Sequence, residues 1–203
     1  MNKRLKSIVL ALVCVMMVGV LGGCASKFDA VKYVEAVLEG TFYNDPTKYV
    51  EMKIATKEEV TSEYESGIDE VVQALLSGAT ASDELKAEYK NMITDLFKCA
   101  KYTVKSAEMQ EDKTFTVEVE CQKCKVFGPA MEKFAAISEE EAAALTEQED
   151  ILKYMLDCFN AAIADAQYDE AETISIKLVL NDNVYSIDSK DMETLNTKLF
   201  DFQ

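Results

Sequence analysis

From Phe28 onward apolar residues recur at helical spacing, at Val31, Val34, Val37 and Leu38, and the pattern predicts a helix that stops near Gly40. Asn44-Asp45-Pro46 reads as a turn into a short helical piece around Tyr49 to Ile54. Thr56-Lys57-Glu58-Glu59 is a capping box, in which hydroxyl and carboxylate satisfy each other's free backbone N–H groups. Behind it Val60, Tyr64, Ile68, Val71, Val72 and Leu75 share one face, and Gly78 is the natural stop. Ser82 with Asp83 and Glu84 opens a further helix whose apolar side carries Leu85, Tyr89, Met92, Ile93, Leu96 and Cys99.

The period then falls to two. Lys101–Lys105 and Thr114–Cys121 alternate apolar and polar residues around a polar loop, which predicts a hairpin with one wet face. Pairing Met109 with Thr114 would set Lys105 opposite Glu118 and Thr103 opposite Glu120 on that face, with Val104 and Val119 turned to the core. Gly128-Pro129 breaks the strand and starts a short helix through Met131 and Phe134. A second capping box, Ser138 to Glu141, predicts one long helix with Leu145, Leu152, Met155, Phe159 and Ala162 inward. A second hairpin follows, with Ile174, Ile176, Leu178 and Leu180 alternating, a turn at Asn181-Asp182-Asn183, and Val184 to Ile187 returning. Ser189 is expected to cap a closing helix. The expected fold class is α+β, with the N-terminal helices and the long helix packed on an antiparallel sheet of two hairpins. In that arrangement Phe115, Val117, Val119, Ile174, Ile176 and Leu178 face Met155 and Phe159.

Ahead of this pattern stands a different one. Lys3, Arg4 and Lys6 precede an uncharged apolar run from Ile8 to Leu21, the layout of a secretory signal. The run to Gly23 is roughly sixteen residues, short of the ~18 to 20 that cross a bilayer as a helix. Leu21-Gly22-Gly23-Cys24, placed at its end, resembles the lipobox of bacterial lipoproteins. The resemblance implies cleavage before Cys24, a diacylglycerol on its sulfur and acylation of the new first residue. Residues 1–23 are then a removed leader and 24–203 a single extracytoplasmic domain held at the outer surface of the cell membrane. Two chains on one residue meet the requirement for stable attachment. Ala25 is not the Asp that often retains lipoproteins at an inner membrane, so a Gram-positive surface and an outer membrane both remain open.

Charge narrows the partners. The whole chain carries −16, and without the three basic residues of the leader −19. Nucleic acid is excluded as a natural partner, and an anionic headgroup layer would repel the domain, so the lipid must do the holding. Histidine is absent, which removes the commonest general base, the Ser-His and Cys-His nucleophile pairs and the usual transition-metal ligand.

Little explicit chemistry is left. Cys121-Gln122-Lys123-Cys124 has the spacing of a metal or redox motif, but Cys99 and Cys158 are isolated, and the pair lies at a strand end where no helix dipole lowers a thiol pKa. No metal or other cofactor is expected. Cys99, Cys121, Cys124 and Cys158 read equally as small buried apolar side chains or as one or two disulfides, which the export route permits. Glu139-Glu140-Glu141 and Glu147-Gln148-Glu149-Asp150 sit at helix starts or outer faces, where solvated carboxylates are favoured. Tyr33, Tyr64 and Tyr89 mark the place where a ligand cavity is expected, between the sheet and the N-terminal helices.

An acylated cysteine followed by a Tyr-rich amphipathic helix (Tyr33 to Tyr49), a helical hairpin, a Tyr-Thr-Val strand and a late strand-turn-strand (Ile176 to Ile187) resembles uncharacterised lipoproteins of Gram-positive gut bacteria. Such proteins are similar in element order to the cystatin-like and nuclear-transport-factor-like α+β roll, a fold that hosts binding modules and enzymes alike. The expected function is a lipid-anchored, non-enzymatic module that binds a small ligand or an envelope protein. The alternative is a small envelope enzyme working through carboxylates or tyrosine.

Overall fold

The computed structural model describes residues 20–21, 28–181 and 184–201; Cys24 and the Asp182-Asn183 turn lie outside the described residues. After a two-residue strand β1 (Val20–Leu21) come four helices, α1 (Ala30–Tyr43), α2 (Thr47–Glu51), α3 (Lys57–Leu75) and α4 (Asp83–Phe97). Each of the three long ones begins at a side chain that accepts a free backbone N–H. Asp29 takes that of Lys32, Thr56 that of Glu59 and Ser82 that of Leu85. The first capping box is closed by Glu59, whose carboxylate accepts from Thr56 N at 2.7 Å.

Helix α1 does not stop at Gly40. It continues to Tyr43 and ends at Asn44, whose φ of 52° is the left-handed conformation that Asn tolerates. A mid-helix glycine costs only about 1 kcal/mol against alanine, and the buried run Val37, Leu38, Gly40, Thr41, Phe42 more than offsets it.

The first hairpin is β2 (Lys101–Met109) and β3 (Phe115–Gln122). At its base the expected register holds, with Thr103 opposite Glu120 and Val104 opposite Val119. Beyond Val104 a bulge at Lys105 shifts the ladder by one residue, so that Ser106 faces Glu118 and Met109 faces Phe115. Lys105 thus leaves Glu118 and binds Glu120 at 2.8 Å instead.

A small ribbon and three helices follow. They are β4 (Cys124–Lys125), α5 (Phe127–Ala135), α6 (Glu139–Ala144), α7 (Gln148–Ala164) and β5 (Gln167–Tyr168), with β4 and β5 paired. The long helix expected from Ser138 is therefore two. The capping box at Ser138 is present, but α6 buries no residue, and a second start at Glu147, where the Asp150 carboxylate accepts from Glu147 N, opens α7. With no apolar face to hold it down, the first segment ends after six residues.

The chain closes with β6 (Glu172–Asn181), β7 (Val184–Ile187) and α8 (Ser189–Leu199). Asp188, one residue earlier than expected, is the cap of α8. The two hairpins join through antiparallel pairing of β3 with β6, from Phe115 opposite Leu178 to Cys121 opposite Glu172, and the sheet order is β1-β7-β6-β3-β2. The fold is α+β, as the alternation of periods implied.

What covers the sheet differs from the expectation. Helix α1 lies on β2 and β3 and α8 on β3 and β6, while α7 packs against α5 and α4. Phe159 meets Phe127 edge-on at 5.3 Å. The inward face of the sheet, Phe115, Val117, Val119, Ile176 and Leu178, is buried. Its apolar demand is met by α1 and α8, and Phe159 packs in the helical layer.

Candidate functional site

The residues singled out in the sequence do not converge on one place. Tyr33, Tyr64 and Tyr89 are 1%, 7% and 3% exposed and belong to the core. The Tyr33 hydroxyl donates to the Tyr185 carbonyl at 2.8 Å and that of Tyr89 to the Leu152 carbonyl at 2.9 Å, while Tyr64 meets Phe97 edge-on. Burial pushes the phenols of Tyr33 and Tyr89 up to about 12, the opposite of what a general base at neutral pH requires. The carboxylates with a resolved shift, Asp45, Glu59, Asp83, Asp112 and Glu141, all move down, held by hydrogen bonds to caps, turns or a neighbouring lysine. A general acid needs the reverse.

Concavities open elsewhere. A groove of about 580 Å³ runs between α4 and α7, with Met92, Leu156 and Ile163 in its floor and Glu88, Asn91, Asp95, Asp157 and Asn160 along its rim. Its volume falls within the range of small-ligand sites, while its lining is more polar than theirs. The sequence placed Met92 on an apolar face, but the rim residues read as the wet sides of two separate helices. Only the packing of α4 on α7 makes them facing walls.

A smaller cleft of about 340 Å³ lies at the root of β2, lined by Tyr43, Lys101, Tyr102, Glu120, Gln122 and neighbouring backbone. Tyr43 and Tyr102 stack at 5.8 Å. Burial, reinforced by Tyr43 and by the carboxylates Glu39, Glu35 and Asp45, raises the Tyr102 phenol strongly, and among the described residues its hydroxyl has no hydrogen-bond partner.

Next to this cleft stand two of the cysteines. Cys99 follows the end of α4, and Cys124 opens β4 opposite Tyr168 of β5. The Cys99 thiol donates to the Asp95 carbonyl at 3.4 Å, and the Tyr168 hydroxyl donates to the Cys99 carbonyl at 3.1 Å. Lys101 Nζ lies 3.4 Å above the Tyr168 ring. The other two are apart. Cys121 donates its S–H to the Glu172 carbonyl at 3.7 Å, and Cys158 is buried on α7, where burial raises its thiol. Cys121 and Cys124, of opposite parity in a continuous strand, are both buried because the chain leaves β3 at Gln122 and starts a new ribbon. All four are free thiols, and among the described residues no group of three or more His, Cys, Asp or Glu side chains is gathered to hold a metal ion.

No protein-family model matches the chain, and no curated protein matches it. Among solved structures it is similar to the crystal structure of a "putative lipoprotein" (ycdA) from Bacillus subtilis subsp. subtilis str. 168, at 14% identity and a TM-score of 0.49. The similarity covers 72% of this chain and 48% of that one, so the chain spans about half the length of the neighbour. Among the described residues no helix is long and apolar enough to cross a membrane.

Proposed function

We propose that the protein is a lipid-anchored, extracytoplasmic, non-enzymatic binding module, tethered through Cys24 and taking a small ligand in the groove between α4 and α7. The observation that carries the reading is Leu21-Gly22-Gly23-Cys24 at the end of an uncharged apolar run behind three basic residues. The folded part begins almost at once. Phe28 stacks on Tyr185 at 4.3 Å and touches Phe115 and Tyr33, so only Ala25, Ser26 and Lys27 separate the anchor from the core. Three residues span on the order of 10 Å, which holds the Phe28 end of the domain close to the bilayer. Removal of the leader also removes β1, leaving a four-stranded sheet with β7 at its edge.

The groove supports the binding half of the reading. Its rim carries three carboxylates and two amides, which suits a ligand rich in hydrogen-bond donors or positive charge with an apolar side for Met92 and Leu156. A chain at −16 also supports a partner other than nucleic acid. Helices packed on an all-antiparallel sheet support the cystatin-like roll as the parent architecture.

The test has two arms. Cys24→Ala is expected to convert a membrane-bound, acyl-labelled protein into an uncleaved or soluble one, and unchanged detergent partitioning of the variant refutes the anchor. For the groove, a library of amines and sugars is screened by thermal shift. A binder at a hundred times its Kd adds about 2.7 kcal/mol, or roughly 5 to 11 °C in Tm for a chain of this size. Asn160→Trp, at an exposed rim position, should abolish that shift while leaving the Tm of the free protein in place.

A further inference from the structure

We infer that the cleft at the root of β2 is a second binding site, separate from the α4–α7 groove, and that it takes a short neutral saccharide. Tyr43 is the platform for a sugar ring, and a cross-strand group of four polar side chains supplies the hydrogen bonds. The cleft, of about 340 Å³, includes Tyr43, Lys101, Thr103, Glu120 and Gln122 in its lining. That volume lies at the low end of small-ligand sites, which suits the end of a sugar chain and not a polymer laid along the sheet.

Tyr43 ends α1 and is 40% exposed, whereas Tyr33 on the same helix is buried. Its ring is nonetheless held. It stacks on Tyr102 at 5.8 Å with 16° between the planes, Tyr102 leans in turn on Phe42 at 6.0 Å, and the Tyr43 hydroxyl donates to the Ala100 carbonyl. A tyrosine fixed before the ligand arrives offers broad contact area at little entropic cost. The face of an aromatic ring carries partial negative charge, which attracts the weakly positive C–H groups on the flat side of a pyranose.

The polar group comes from strand register. Lys101 stands opposite Gln122 and Thr103 opposite Glu120, and the two pairs are two residues apart, so all four side chains leave the same face of the sheet. Together they present ammonium and amide donors, carboxylate and amide acceptors, and a hydroxyl that is both. Sugar hydroxyls, each a donor and an acceptor, need that mixture. Lys101 Nζ is steadied 3.4 Å above the Tyr168 ring, and Glu120 accepts from Lys105 at 2.8 Å. Lys101 and Glu120 are the charged side chains of the lining, one of each sign, so the cleft favours a neutral ligand. The α4–α7 groove differs, since its rim has three carboxylates and no basic residue.

The site depends on neither the anchor nor the groove, and its test separates them. Full-length protein, in a zwitterionic detergent that has no sugar headgroup, is titrated by calorimetry with chitotriose, cellotriose and maltotriose. At least one is expected to bind saturably. Tyr43→Ala should weaken that binding about tenfold and Gln122→Ala about fivefold. Tyr43→Phe, which keeps the ring, and Asn160→Trp, which alters the groove alone, should leave it unchanged. Circular dichroism checks that each variant is folded; should Tyr43→Ala fail to fold, Gln122→Ala decides. No binding of any of the three sugars, binding that folded Tyr43→Ala or Gln122→Ala leaves intact, or binding lost in Asn160→Trp would each overturn the inference. Displacement of the sugar by indole at lower concentration would do so too, because the cleft would then select a planar aromatic ligand.

Discussion

The carboxylate of Asp201 receives three consecutive backbone N–H groups, those of Val126, Phe127 and Gly128, each at 2.9 Å. Helix α5 has no side-chain cap of its own, so a residue more than seventy positions away satisfies the donors at its start. Gly128 leaves room for this, since a Cβ there would sit 3.3 Å from Asp201 Oδ2. Asp201→Ala is expected to cost about 1 to 2 kcal/mol, as for other lost N-caps, measured as a fall in the urea midpoint at unchanged m-value. A loss below a few tenths would mean that water replaces the carboxylate. Nothing in local spacing pointed to Asp201, because a cap is normally sought within three residues of the helix it serves.

Among the elements, α6 and α7 show how far local signals reach. Both capping boxes read from the sequence are present, at Thr56 and at Ser138, yet one starts a nineteen-residue helix and the other a six-residue one. Caps set where a helix begins; burial decides how long it lasts. The face of α3 is buried at Val60, Tyr64, Ile68, Val71 and Val72, whereas α6 is Glu-Glu-Glu-Ala-Ala-Ala with nothing buried. Amide exchange in α6 should therefore proceed close to the unstructured rate while the buried turns of α7 around Leu156 and Cys158 approach the global stability. Strong protection across Glu139–Ala144 would show that α6 is held by a surface outside the chain. The hairpin makes the same point in strand form. Alternation set which residues face the core, while the bulge at Lys105, invisible in the pattern, moved the upper half of the ladder by one step.

For the molecule as a whole, the tyrosines tie stability to pH. Tyr33, Tyr49 and Tyr185 are fully buried, and Tyr89 nearly so. Burial raises the phenols of Tyr33 and Tyr89 from their ordinary value of about 10 to about 12 and lifts those of Tyr49 and Tyr102 further. A group whose folded pKa lies above its unfolded value favours the folded state fully below the unfolded pKa and loses that contribution as pH rises through the folded one. Stability should therefore hold up to about pH 10 and fall steeply toward pH 12, where lysine deprotonation also deepens the net negative charge. Absorbance of tyrosinate and far-ultraviolet circular dichroism should move together in that window. Smooth titration of all nine tyrosines near pH 10 with the fold intact would contradict the buried hydroxyl network.

The sequence by itself determined what acts over three or four residues or along one strand: helix starts, inward faces, the change of period from helix to strand, the α+β class, the net charge and the lack of histidine. It also carries Leu21-Gly22-Gly23-Cys24, whose resemblance to a lipobox is readable from the chain because such a motif is a linear signal. Tertiary structure decided everything that depends on partners distant in sequence. The pairing of β3 with β6, the covering of the sheet by α1 and α8, the walls of the α4–α7 groove and the Asp201 cap all belong here. The reason is physical. An apolar face specifies that it must be buried but not against what, since the hydrophobic effect is non-directional and any face of matching shape will serve.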